Sequence, residues 1–431
     1  MKARLYCFIL AVMAFSLAAT NASADIMVYH PARDGWTHYG TAFIDDAIDD
    51  FNASGENGKI LKFPAGTYVF SHQITPQTGS RVTSEDKTHL TAKSGTYANG
   101  GLDDKDCFYV LGNGVVIEKI ALDRETATRS SVTGNGINVN GKSQVVMQDL
   151  SIEMQNIGIY TSDNGGDIIV EKCLVRYTKA QGIYLKGTTL NIKWCKVSNT
   201  LGNGIDLGIY KLDPSWEQSK VWVADCGIHQ CNGNGIKLTG YNGGETMEGV
   251  NVDISHNIIE QTASHAVSAD YCENVTVSDN TIRAAGTTVT GPADGSFTGT
   301  WTFGYQSGSG YGVDINQYCV KMIVANNIIR SNVSGGVHLG NYGAFSDGPW
   351  QISVVNNVIS GGTNGVYMED AMGFGELKCI KISGNQIFDA TYGIRQDSGV
   401  NYALISDNVL SNSNNLALSG ANNVVADNLQ Y

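Results

Sequence analysis

The strongest constraint on this chain is a phrase that keeps returning: Gly, then Ile or Val, then a variable residue, then usually an apolar one. It stands at Gly136-Ile137, Gly158-Ile159, Gly182-Ile183, Gly204-Ile205, Gly235-Ile236, Gly312-Val313, Gly336-Val337, Gly365-Val366 and Gly393-Ile394, with Ala266-Val267 as a variant. The shortest intervals are 22 residues (136 to 158, and 182 to 204), and longer ones add loops. A second phrase follows, in which an alternating apolar run leads to Asn. Val252-Asp253-Ile254 precedes Asn257, Val275-Thr276-Val277 precedes Asn280, and Ile323-Val324 precedes Asn327; Asn357, Asn385, Asn408 and Asn428 continue the series. The apolar period is two, the runs are β-branched, and Gly and Asn recur too often for helix. Three short strands and three turns use about 22 residues, so the repeat predicts an all-β chain wound as a right-handed parallel β-helix. An Asn in a turn tolerates left-handed backbone angles, and stacked Asn residues would form an internal ladder.

One convincing helix lies near the front, where Phe43, Ala47, Ile48 and Phe51 share a face. It is expected to cap the open end of the stack, which would otherwise expose sheet edges. The chain stops at Tyr431 right after a coil, so the far end is left to short side chains or to another subunit, making a homo-oligomer through that end a candidate. Residues 1–24 read as a secretory signal: Lys2 and Arg4, an apolar run from Leu5 to Ala19, and a cut after Ala22-Ser23-Ala24. Residues 25–105 read as the cap and first coils, and 106–431 as the β-helix, continuous with them as one domain. A secreted or periplasmic protein with no membrane span is expected.

The formal charge of -13 becomes about -15 once Lys2 and Arg4 are removed, which argues against nucleic-acid binding. Cys173, Cys195 and Cys226 occupy matching places in successive coils and read as a buried thiol stack. Cys272 and Cys319 also match. Neighbouring coils lie within disulfide range, but parallel side-chain vectors make a bridge awkward.

The stretches Phe43-Ile44-Asp45-Asp46-Ala47-Ile48 and Lys62-Phe63-Pro64-Ala65-Gly66-Thr67-Tyr68 resemble the opening segment of the pectin-lyase-like superfamily, and the coils resemble its repeats. The resemblance implies the fold and not the reaction, because this fold hosts lyases, hydrolases, epimerases and non-enzymes. The pectate lyase Trp-Ile-Asp-His and Arg-Pro-x-x-Arg signatures are absent, as is the polygalacturonase set. Asp213-Pro214 is followed by Ser215, so the Asp-Pro-His motif of mannuronan epimerases is absent too.

In each phrase the residue between two apolar neighbours points outward. Stacking gives one column: Asn138, Tyr160, Tyr184, Asp206, Lys237, Ser268, Asp314, His338, Tyr367, Arg395. Two residues on, a second column includes Lys186, Thr239, Asp270, Asn316, Glu369 and Asp397. Solvated strands tend to carry Thr, Ser, Lys and Asn, whereas these columns hold Tyr, Asp, Lys, His and Arg. Insertions flank the same sheet at 208–220, 239–249, 284–311, 340–350 and 370–377, and carry Trp216, Tyr241, Trp301 and Tyr342. Such loops would wall a groove whose aromatics suit sugar rings, although any one aromatic also serves as a loop anchor.

Two chemistries fit. A lyase on an acidic, alginate-like polysaccharide needs groups to neutralise a uronate, take the C5 proton and protonate the leaving oxygen; Tyr184, Lys237, His338 and Arg395 have the right types. Asp206 would then suit Lys237 to charge neutralisation. A glycoside hydrolase needs two carboxyls, from Asp206, Asp270 and Asp314, with His338 tuning Asp314. Lys186, Asp270, Asn316, Tyr367, Glu369 and Arg395 complete the expected substrate contacts. A solvated or ion-paired strand residue is the plain alternative for each Asp, and a non-catalytic glycan-binding β-helix is the plain alternative for the whole. Ca²⁺ near Asp206 or Asp270 is left open, with no ligand motif behind it.

Overall fold

The computed structural model describes residues 25–53, 55–86, 88–125, 132–161, 165–209, 219–240, 250–287, 290–291, 301–302, 310–316, 318–340, 349–370, 377–420 and 422–431. Residues 1–24, with the expected signal, lie outside them.

The inward residues of each phrase drive the winding. Ile183, Leu185, Ile205, Leu207, Ile236, Leu238 and their successors are fully buried, and one apolar core runs from Ile26 to Leu410. Each such side chain contributes roughly 1.5–3 kcal/mol by leaving water. The described strands form three long sheets of 16, 12 and 14 strands, in which each strand pairs with its counterpart one coil away. Pairing is parallel throughout the coils; the antiparallel pairs are the opening hairpin Ile26–His30 with Gly35–Tyr39, its neighbour Ile60–Phe63, and a two-residue ladder in an insertion. This is the parallel β-helix that the repeat predicts.

Why the phrase opens on Gly is now physical. A Cβ on Gly136, Gly158, Gly182, Gly204, Gly235, Gly312, Gly336, Gly365 or Gly393 would stand 2.4–2.9 Å from a carbonyl oxygen of the next coil. Only a residue without a side chain lets consecutive turns approach that closely.

The Asn series forms the expected ladder. Each Oδ1 accepts the backbone N–H of the Asn one coil earlier, from Asn257 to Asn428, at 2.9–3.0 Å. Each Nδ2 donates to a carbonyl of the preceding coil, as Asn327 does to Val277 at 2.8 Å. The left-handed backbone belongs not to the ladder Asn but to the residue before it, such as His256, Asp279 and Asn326 (φ 57–58°). Cys173, Cys195 and Cys226 continue the same column as buried free thiols, and Cys226 donates its N–H to Asn257 Oδ1 at 2.9 Å. Cys272 and Cys319 are free as well.

The helix Ile44–Asn52 lies at the front end with Ile44, Ala47, Ile48 and Phe51 buried. Phe43 is 57% exposed, so Ile44 takes the place expected for it. Asp45 accepts the backbone and hydroxyl of Ser71, and Lys59 Nζ donates to the carbonyls of Asp50 and Ala53 at the helix C-terminus. At the far end Val424, Val425, Leu429 and Tyr431 are exposed. No helix among the described residues is long and apolar enough to cross a membrane.

Candidate active site

The 12-stranded sheet carries both outward columns. Its registers pair Tyr160 with Tyr184, Tyr184 with Asp206, Asp206 with Lys237, Lys237 with Ser268, Ser268 with Asp314, Asp314 with His338, His338 with Tyr367, and Tyr367 with Arg395. Thr239 pairs with Asp270, and Gly340 with Glu369, in the second column.

At the centre of the sheet, His265, Asp314, His338 and Glu369 from four coils form a polar chain, buried at Asp314 and His338 and half-buried at its two ends. His338 is 1% exposed; its Nδ1 lies 2.7 Å from Asp314 Oδ1 and its Nε2 lies 3.1 Å from Glu369 Oε2. Its ring is stacked on Tyr311 (centroids 4.6 Å, 15°) and tilted against Tyr367 (5.3 Å). Burial opposes charge on His338, but the hydrogen bonds and negative charges of Asp314 and Glu369 outweigh it and lift its pKa to about 9. The two flanking carboxyls favour the imidazolium form, which would donate from both nitrogens.

Asp314 is 2% exposed. Burial alone would raise its pKa; His265, His338 and Asn316 outweigh burial and hold it below the usual carboxyl value. Asn316 Nδ2 donates to Asp314 Oδ2 at 2.5 Å. His265 Nε2 lies 3.4 Å from the same oxygen, while its Nδ1 accepts the Tyr311 N–H at 3.3 Å, which fixes the ring proton on Nε2. Burial pushes His265 below the usual imidazole range, and Asp314 opposes that shift.

Around this chain lie further groups on the outward side of the sheet. Lys237 Nζ is 3.5 Å from Asp270 Oδ2, so the ion pair of Lys237 is with Asp270 where the sequence suggested Asp206. Burial pushes the Asp270 carboxyl up, Lys237 opposes it, and Asp314 adds to the rise. Asp206 accepts from Asn203 Nδ2 at 2.8 Å and from Gln181 at 3.5 Å, and burial raises its pKa too. Tyr367 donates to Asp397 at 2.8 Å, and Arg395 lies 4.7 Å over the Tyr367 ring.

The sheet gathers Lys237, Asp270, Asp314, Asn316, His338, Tyr367 and Glu369, and leaves Tyr184, Lys186 and Arg395 at its flanks. Tyr184 stacks on Tyr160 (5.6 Å, 18°) with Lys186 over it at 5.5 Å. It stands five strand spacings from His338, about 24 Å. Tyr184 and His338 therefore do not address one sugar bond. Trp216, Tyr241 and Tyr342 fall outside the described residues, and of Trp301 only the backbone, in the strand Trp301–Thr302, is described. The sequence reading missed His265 and Tyr311. Each stands one residue ahead of the phrase, where Asn203 and Asn234 stand in earlier coils; a third column drawn there would have found both.

The sequence matches two family descriptions: right handed beta helix region over residues 82–211, and periplasmic copper-binding protein (NosD) over residues 216–428. No curated protein matches. Among solved structures, the A-module of a mannuronan C-5 epimerase from Azotobacter vinelandii superposes with TM-score 0.54 at 14% identity, covering 89% of this chain and 95% of that one. The catalytic unit of a GH87 α-1,3-glucanase from Streptomyces thermodiastaticus gives 0.57 at 12%, covering 91% and 65%. Tailspike protein 3 of bacteriophage CBA120 gives 0.55 at 12%, covering 97% and 68%. The likeness to the pectin-lyase-like superfamily thus holds for the fold, a right-handed parallel β-helix. Among the described residues no group of three His, Cys, Asp or Glu side chains is arranged to hold a metal ion.

Proposed function

We propose that the protein is an exported polysaccharide-cleaving enzyme, a glycoside hydrolase with Asp270 as proton donor and Glu369 as the base that activates water. The observation behind this reading is the pair itself: two half-buried carboxyls in one outward column, each beside a cation, with burial outweighing Lys237 at Asp270. Asp270 is pushed toward the protonated form by burial, while Glu369 accepts a hydrogen bond from the His338 imidazolium. Paired carboxyls driven apart in this way are how one site supplies an acid and a base at the same pH.

Three strand spacings separate the two Cα atoms, and Glu369 leans back one coil toward His338. The carboxyl groups then stand roughly 10 Å apart, close to the inverting span of about 6.5–9.5 Å and well beyond the retaining one. The floor between them is Asn316 and Gly340, the latter with no side chain. The reaction follows: Asp270 gives its proton to the glycosidic oxygen, and water deprotonated by Glu369 attacks the anomeric carbon from the opposite face. The fold's occurrence in an epimerase of mannuronan and in an α-1,3-glucanase supports a polysaccharide as substrate. Export is supported by the basic, apolar, small-residue order of residues 1–24 and by the periplasmic description of the matching family; a secreted chain beginning elsewhere than Asp25 would count against the predicted cut.

The test is a polymer panel read by reducing-end release and by anomeric configuration. Asp270→Asn and Glu369→Gln should each lower the rate by about 10²–10⁴-fold. Full activity in both would sink the assignment. The second reading is β-elimination on a uronate polymer, favoured by the cations Lys186, Lys237 and Arg395 on the same sheet. An ultraviolet-absorbing unsaturated product would select it. Glycan binding with no new chain ends on any polymer would select a binding protein.

A further inference from the structure

We propose that Asp314 is a positioning residue: shut away from substrate, it keeps the two reacting carboxyls in opposite protonation states. The proposal rests on the hydrolase reading above and deepens it. Asp314 is 2% exposed and sits on the strand Tyr311–Ile315, between the strand that ends in Asp270 and the strand that carries His338. One oxygen takes the His338 Nδ1–H at 2.7 Å; the other takes Asn316 and faces His265. At 2% exposure, with both oxygens engaged by protein groups, Asp314 is not placed to react with a substrate itself. Its charge nevertheless acts in both directions along the sheet.

Upward, it shares the His338 imidazolium with Glu369, and the cation favours the ionised form of each carboxyl. Downward, Asp270 lies one strand spacing across and two residues along, about 8 Å between Cα atoms. There a fixed negative charge in a poorly solvated setting disfavours a second one. Asn316, which donates to Asp314, is the neighbour of Asp270 in the second column, and its hydrogen bond to Asp270 opposes the rise there. The charged and titratable groups that face Asp314 are His265 and Asp270 from the coil before, Lys237 one coil further, His338 and Glu369 from the coils after, and Tyr311 on its own strand. Burial pushes His265 down and lifts Tyr311 to about 12; Lys237 and Asn316 oppose the rise at Asp270, and burial with Asp314 outweighs them.

The experiment is a carboxyl ¹³C NMR titration of the full protein, with Asp270 assigned by its loss in Asp270→Asn. In Asp314→Asn the Asp270 titration should move to lower pH, and the alkaline limb of kcat/KM should move with it. An unmoved Asp270 titration in a folded variant overturns the proposal. A second measurement needs no variant: the His338 ring nitrogens should both be protonated at pH 7 in ¹⁵N spectra, and a neutral ring overturns the proposal as well. If Asp270→Asn and Glu369→Gln are both fully active, the hydrolase reading fails, while the two titrations still decide whether Asp314 governs Asp270.

Discussion

His338 and Asp314 face each other at 2.7 Å inside a sheet whose outward side would ordinarily be wet, and both are at most 2% exposed. A buried ion pair is not by itself strongly stabilising, but removing one partner strands the other charge. His338→Phe keeps an aromatic ring between Tyr311 and Tyr367 and leaves Asp314 and Glu369 without their cation. It should cost about 3–5 kcal/mol in chemical unfolding. A loss under 1 kcal/mol would mean that ring packing, and not charge, holds this region.

The same pair sets a pH window. The His338 pKa is raised in the folded state to about 9 from an ordinary value near 6.5. Stability from this shift is fully present below pH 6.5 and is lost as pH rises through about 9. The amount is about 3 kcal/mol, from 1.4 kcal/mol per pH unit. Denaturant titrations at pH 6 and pH 10 should show that loss, and His338→Phe should remove most of the difference.

Much of this was legible in the sequence because the Gly-Ile phrase fixes register. Once Ile183, Ile205 and Ile236 are aligned, alternation forces Tyr184, Asp206 and Lys237 into one outward column, and the strand registers agree. What the phrase cannot report is the depth of each outward position. His338 reads as an outward catalytic candidate, yet the rings of Tyr311 and Tyr367 pack against it and Asp314 and Glu369 engage both its nitrogens. Tyr311 and His265 escaped because each stands one residue ahead of its phrase, outside the two columns that alternation defines, and Tyr311 also adjoins the long insertion. The ladder was read from Asn alone; that its left-handed residue stands one place earlier follows from the turn geometry, which no composition rule specifies.

The glycine column makes a sharp contrast available. A Cβ on Gly336 would stand 2.5 Å from the Gly365 carbonyl and 2.4 Å from Ile359 Cγ2, so Gly336→Ala must push two coils apart. It should cost about 3 kcal/mol. A Cβ on Gly227 meets nothing nearer than 3.9 Å, at Lys196. Gly227→Ala should change stability by less than about 0.5 kcal/mol, or raise it slightly by stiffening the unfolded chain. Equal effects at the two positions would refute the close-approach account of the repeat.

The last prediction extends the ladder. Cys226 stands directly before Asn257 in the column, gives its N–H to Asn257 Oδ1 at 2.9 Å, and has its thiol 3.2 Å from the Ala224 carbonyl and 3.7 Å from the Ile192 carbonyl of the coil before. The amide of an Asn at this position would find the acceptors that Asn257 finds one coil later, namely a carbonyl of the coil before and the next Asn Oδ1. A buried amide normally costs stability when its partners are missing. Here both are already in place, so Cys226→Asn should lose less than about 1 kcal/mol, whereas Asn327→Leu, which keeps volume and strips the amide in mid-ladder, should lose at least about 2 kcal/mol. If Cys226→Asn is the more damaging of the two, the thiols are a separate packing device and not the lower rungs of the same ladder.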